Sequence, residues 1–262
     1  MIKSVFCLLL IAMSFAGAAQ TKIRSLEISD TIVGAAVDRP GDFYLITKSG
    51  QIQKYDKDGK LVILYRHQGP PTLFDPRDGS RLFAYYRGTQ QYDYYNPSFE
   101  TVNSYHVDPA FAIDPWLICP SGDHKLWLLD KADQTLKRLN ARHTEVEIEV
   151  VIDSALIKDA SSFVSLREYQ GFVFALDPAR GIFIFNSIGN HIRTIAVKGI
   201  HSINFLGQEL YYFKDGNVNF FDLFTADTRQ LLISFDAGNI LLTDERMLLV
   251  RLTGADIYEF RP

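Results

Sequence analysis

The stretch GDFYLITKSGQIQKYDKDGKLVILY, Gly41–Tyr65, is rich in aromatic and branched residues and breaks twice. The breaks fall at Lys48-Ser49-Gly50 and at Asp56-Lys57-Asp58-Gly59. Short apolar runs bounded by Gly, Asp and Ser read as strands joined by tight turns. The stretch is therefore three short antiparallel strands, and what decides the fold is whether the pattern recurs.

It does. The run around Tyr44 (DFYLI) has counterparts around Phe83 (RLFAYY), Trp127 (KLWLL), Val173 (FVFAL), Tyr211 (ELYYF) and Leu248 (RMLLV). Their spacing is about 40 residues, the kind of period that marks a repeat architecture. The strand after each run also repeats. It closes on Tyr55-Asp56, Tyr95-Asn96, Leu139-Asn140, Phe185-Asn186 and Phe221-Asp222, and in the last copy on Phe260. Asp and Asn favour turns because their side chains accept hydrogen bonds from nearby backbone N–H groups.

A preceding strand is readable in every copy: Ile32–Asp38, Pro71–Asp75, Trp116–Pro120, Ser161–Leu166, His201–Leu206 and Gly238–Thr243. Each ends in turn chemistry, such as DRPG, DPRDG, PSGD and REYQG. A fourth strand follows five of the six copies, for example KLVILY and HIRTIAV, and the sixth has none before Pro262. Lys22–Ile28 (KIRSLEI) is a strand without a partner ahead of the first copy. Pairing it with the last copy completes the sixth sheet and removes two exposed edges. The expected fold is all-β, a six-bladed β-propeller closed by its N-terminal strand. A β-sandwich or two β domains would also suit strand-rich sequence, but no Pro/Gly/Ser linker divides the chain.

This layout resembles six-bladed propellers of the TolB-like and NHL-repeat type over Lys22–Pro262. The resemblance rests on period, strand order and ring closure. The sequence also resembles secreted proteins of Bacteroidetes-type bacteria, in its AGAAQ segment and its aromatic, Asp-Gly-rich repeats.

Residues 1–19 read separately, as a leader before a propeller domain over 20–262. Lys3 precedes the apolar run Val5–Phe15, and Ala16-Gly17-Ala18-Ala19 supplies small residues. That is the layout of a cleaved secretory signal. The apolar run is short for a membrane span, so no span is expected after cleavage. Cys7 lies inside the run rather than beside the small residues, which does not suit a lipid anchor. The expected location is the periplasm or the cell exterior. The mature chain keeps Cys119 alone, in the strand-like PWLICPSG, where a buried thiol is expected; a reactive thiol would want His124 as its base.

The 262 residues are 47% hydrophobic and carry a formal net charge of −4 without a basic block, so nucleic acid is not an expected partner. The six His show no metal-ligand spacing. Asp56–Gly59 has the start of a calcium loop without its distant acid. There is no G-x-S-x-G elbow and no phosphate-cradling glycine loop. No cofactor is expected. Propellers of the gluconolactonase type hold a metal with channel carboxylates and an Asn, and Asp38, Asp75 and Asn204 are the residues that would imitate that.

The loops joining second to third strands share a face with those entering the next inner strand. That face is expected to bind. Its candidate residues are His67, Arg87, Tyr92, His106, Asp108, Trp116, Asp177, Arg180 and His201. The run YYRGTQQYDYYNPSF, Tyr85–Phe99, is its most distinctive part. Its tyrosines suit recognition of protein or sugar, or cross-strand pairing within a hairpin. The expected function is non-catalytic: a protein-binding or assembly module of the bacterial envelope, with an envelope or secreted protein as partner and a glycan second. The alternative is a metal-dependent lactonase-like hydrolase with its site in the channel.

Overall fold

The computed structural model describes residues 21–233 and 237–260. The expected leader, the end of the fourth strand expected for blade 5 and the final two residues lie outside them.

Six four-stranded antiparallel sheets form six blades. Blade 1 is Ile32–Val37, Phe43–Thr47, Gln51–Tyr55 and Leu61–Arg66, so the opening stretch supplies three of its four strands. Blades 2 to 5 repeat that order. Blade 6 takes three strands from the end of the chain and its fourth from the beginning: Lys22–Glu27 pairs antiparallel with Gly254–Glu259. The ring is closed as the unpartnered first strand predicts. Gly254 is required at the seam, because a Cβ there would stand 2.7 Å from the Leu26 carbonyl oxygen.

Burial explains the sequence pattern. The second strands Phe43–Thr47, Leu82–Tyr86 and Leu126–Asp130 are buried at every position. Each is covered on both faces by neighbouring blades, so its sequence is a continuous apolar run rather than an alternation. The fourth strands lie at the rim and are largely exposed, and Val146–Val151 alternates between exposed and half-buried positions. Between blades the apolar faces merge into clusters. The largest joins blades 2, 3 and 4 around Trp127, Leu117 and Phe163.

The recurring Asp or Asn acts as the sequence suggests. Asp56, Asn96, Asn140, Asn186 and Asp222 each accept two backbone N–H bonds from the turn that follows, for instance from Asp58 and Lys60 onto Asp56 Oδ1 at 3.1 and 2.8 Å.

Three inner strands start two or more residues later than expected. In blade 2 the strand is Leu73–Asp75, not Pro71–Asp75. In blade 5 the strand is Asn204–Leu206, not His201–Leu206. In blade 4 it is Ser165–Tyr169 rather than Ser161–Leu166. There the Asp159 carboxylate accepts from Ser161 N and Oγ at 2.8 and 2.6 Å, folding residues 160–162 into a single 3-10 turn. The chain joins the sheet late, and Arg167, Glu168 and Tyr169, which read as turn, pair with Phe174, Val173 and Phe172.

Candidate functional site

The turns joining first to second strands surround a cavity of about 1180 Å³ at one mouth of the ring. Every blade contributes: Asp38, Arg77, His124, Arg167, Phe205 and Thr243 come from blades 1 to 6 in turn. The face expected from sequence is the opposite mouth, and none of its nine candidate residues lines this cavity.

One cluster of charges in the cavity joins blades 2 and 4. Asp75 ends the inner strand of blade 2 with its side chain only 2% exposed. Arg77 returns onto it, Nε at 2.9 Å from both carboxylate oxygens and Nη2 at 2.5 Å from Oδ2. Arg77 Nη1 donates to the Glu168 carbonyl across the ring. Arg167 brings a second guanidinium, with Nη1 3.2 Å from the same Oδ2. Burial alone would raise the Asp75 carboxyl, but the Arg77 and Arg167 charges outweigh it and hold it well below the usual carboxylate range. Burial pushes Arg167 down from the usual arginine value. Cys119 lies beside this group with no exposure, and burial pushes its thiol up, so the structure makes it an inert core residue.

Aromatic rings line the rest. Tyr169 stacks on Phe205 at 4.3 Å between centroids. The Arg81 guanidinium lies 3.7 Å from the Tyr94 ring centroid and bonds His124 Nδ1 at 2.9 Å. These contacts tie blades 4 and 5, and 2 and 3, across the mouth.

The three residues that would imitate a lactonase set, Asp38, Asp75 and Asn204, do line the cavity. The two carboxylates are committed elsewhere. Asp38 accepts from Tyr44 Oη at 2.8 Å and from the Gly41 and Asp42 N–H groups at 3.0 and 2.8 Å. Asp75 is taken up by two arginines. Among the described residues no group of three or more His, Cys, Asp or Glu is placed to hold a metal ion.

At the opposite mouth the structure brings some candidates together. The Arg87 guanidinium lies 3.5 Å from the Trp116 ring and its Nε donates to the Trp116 carbonyl at 2.7 Å. Lys131 Nζ is 5.1 Å from the same ring. His67 stacks on Tyr86 at 3.9 Å. Arg180 lies near Asp177, Nε to Oδ2 3.9 Å, and donates to the Leu156 carbonyl at 2.6 Å. His106, Asp108 and His201 are exposed. Tyr92 and Asp177 are core instead. Tyr92 is 3% exposed, stacks on Tyr105 at 5.2 Å and shares a hydrogen bond with His143 Nδ1 at 3.1 Å. It sits directly across from Tyr85, so cross-strand pairing is what these tyrosines do. Asp177 is 2% exposed and accepts from Ser162 Oγ and Ala179 N.

Sequence reasoning passed over Arg77 and Arg167 because both fall in segments read as turns. The usable signal was a pair of arginines, one just beyond the inner strand of blade 2 and one within that of blade 4, where apolar residues or turn formers predominate.

The chain is a six-bladed β-propeller. It is similar in structure to virginiamycin B lyase from Staphylococcus aureus, with TM-score 0.60 and 11% identity over 90% of this chain and 98% of that one. It is also similar to the WD40 β-propeller domain of Doa1, with TM-score 0.59 and 13% identity over 92% of this chain and 97% of that one. At such identities the likeness establishes the fold alone. No family model matches the chain, and no curated protein matches it in sequence.

Proposed function

We propose that the chain is an exported, non-catalytic propeller of the TolB-like or NHL-repeat type that binds a partner through the cavity at the mouth formed by its first turns. The partner is an envelope or secreted protein, with a glycan as the second choice, met in the periplasm or outside the cell. The reading is carried by one observation: the cavity's two buried acids, Asp38 and Asp75, are bonded within the fold, while Tyr169 and Phe205 line its wall. A hydrolase needs a base or metal ligand free to act on substrate, and Asp38 and Asp75 are bonded on several sides. Rigid walls with mixed charge and half-buried rings suit recognition. Export is supported by the leader pattern of residues 1–19. Among the described residues no helix is long and apolar enough to cross a membrane.

A second reading uses the opposite mouth, where Trp116 is flanked by Arg87 and Lys131. Photo-crosslinking separates the two. A photoreactive phenylalanine analogue placed at Phe205 reports on the cavity, and one at His201 reports on the other face. In the producing cell, a defined adduct from position 205 supports the cavity. Adducts from position 201 alone transfer the function to the opposite mouth, and adducts from neither refute the binding module.

A further inference from the structure

Two guanidiniums share one carboxylate inside the cavity. Asp75 supplies one negative charge, and Arg77 and Arg167 supply two positive ones. Arg77 is fully engaged, through Nε and Nη2 on Asp75 and Nη1 on the Glu168 carbonyl. Arg167 meets only the oxygen that Arg77 already uses, at 3.2 Å, and its side chain is 16% exposed. Glu168 adds a second negative charge that acts on Arg77, and its carboxylate accepts from the N–H groups of Gly122 and Gly171, both at 2.9 Å. An arginine with donors to spare in a half-buried place gains most from an anion that it can meet edge-on.

We propose that Arg167, held in place by Asp75 and Arg77, anchors a carboxylate-binding subsite in this cavity. The inference rests on the reading of the cavity as a binding site and names the chemistry that enters it. The free edge of a single guanidinium is met by one planar carboxylate. Tyr169 lies two residues along the same strand and so on the same face as Arg167, about 6–7 Å nearer the turn. Tyr169 is stacked on Phe205 and lies 6.0 Å from the Arg77 guanidinium carbon. The ligand therefore has an apolar or aromatic body that rests on Tyr169 and Phe205 while its carboxylate reaches Arg167.

The test uses N-acetyl-phenylalanine and its uncharged amide, titrated by calorimetry or NMR against the protein comprising residues 20–262. The acid binds and the amide binds about tenfold more weakly or worse, the difference expected of a charge-assisted hydrogen bond. Arg167→Gln abolishes the preference, and Arg167→Lys keeps part of it. Equal binding of acid and amide, binding of neither, or a preference that survives in Arg167→Gln overturns the subsite. The acid–amide comparison needs no variant, so a poorly folded variant does not obscure the result. If the subsite falls while the adduct at position 205 persists, the cavity remains a binding site for another chemistry.

Discussion

Replacing Leu26 by Ala tests the closure of the ring with a single residue. Leu26 lies in the first strand, is 7% exposed, and packs with blade 1 residues such as Ile32 and Phe43 and blade 6 residues such as Leu248 and Ile257. It thus joins the beginning of the chain to its end. Truncating a buried Leu to Ala costs about 2–5 kcal/mol through lost transfer energy and the cavity left behind. For a domain of this size each kcal/mol lowers the melting temperature by about 2–4 °C. The expected fall is therefore roughly 4–20 °C in a calorimetric scan of residues 20–262. Val33→Ala is the control, since Val33 is 52% exposed and its truncation stays within about 0.5 kcal/mol. Removing residues 20–27 altogether opens the sixth sheet at an edge and should abolish the single cooperative transition. A Leu26→Ala protein that melts with the control, or a truncated protein that melts like the parent, refutes the closed ring.

Three further outcomes follow from named contacts. Asp75→Asn leaves two guanidiniums without their carboxylate and should cost about 3–5 kcal/mol at neutral pH. Because the folded Asp75 carboxyl sits below its unfolded value, its contribution is complete above about pH 4 and is lost as pH falls toward the folded value. The gap in urea midpoint between parent and variant should therefore narrow at pH 3, and an equal gap at pH 7 and pH 3 contradicts the assignment. Cys119, unexposed and with its thiol pushed up by burial, should resist a thiol reagent in the native protein and react once unfolded; native reactivity would show that the core opens there. Arg87→Ala uncovers Trp116 and should shift its fluorescence to the red with little change in melting, and unchanged emission would mean that the stacked pair does not persist in solution.

The repeat and the closure were legible in the sequence because both follow from local chemistry. A second strand covered on both faces must be apolar throughout, which makes FYLI, LFAYY and LWLL stand out. The Asp or Asn after each third strand binds its own turn, so it recurs at fixed position. The site was less legible because it depends on distant residues. Arg77 reads as part of a turn, yet its guanidinium reaches Glu168 in another blade. Arg167 also reads as turn, because nothing local reveals that Asp159 delays the strand by folding residues 160–162 first. Tyr92 reads as an exposed aromatic, and only the packing of blade 3 through His143 shows that it is core. Which mouth holds the cavity is set by how six sets of turns converge, which no single segment encodes.

The account stands most directly on where a bound partner touches the ring. Hydrogen–deuterium exchange on the protein captured with the partner crosslinked from position 205, against the protein alone, reads this out. The account predicts slowed exchange in the turns that ring the cavity, 38–42, 76–81, 121–125, 170–171, 207–208 and 243–245. Protection confined to the opposite mouth, at 67–72, 87–91 and 108–114, with the cavity turns unchanged, would contradict it.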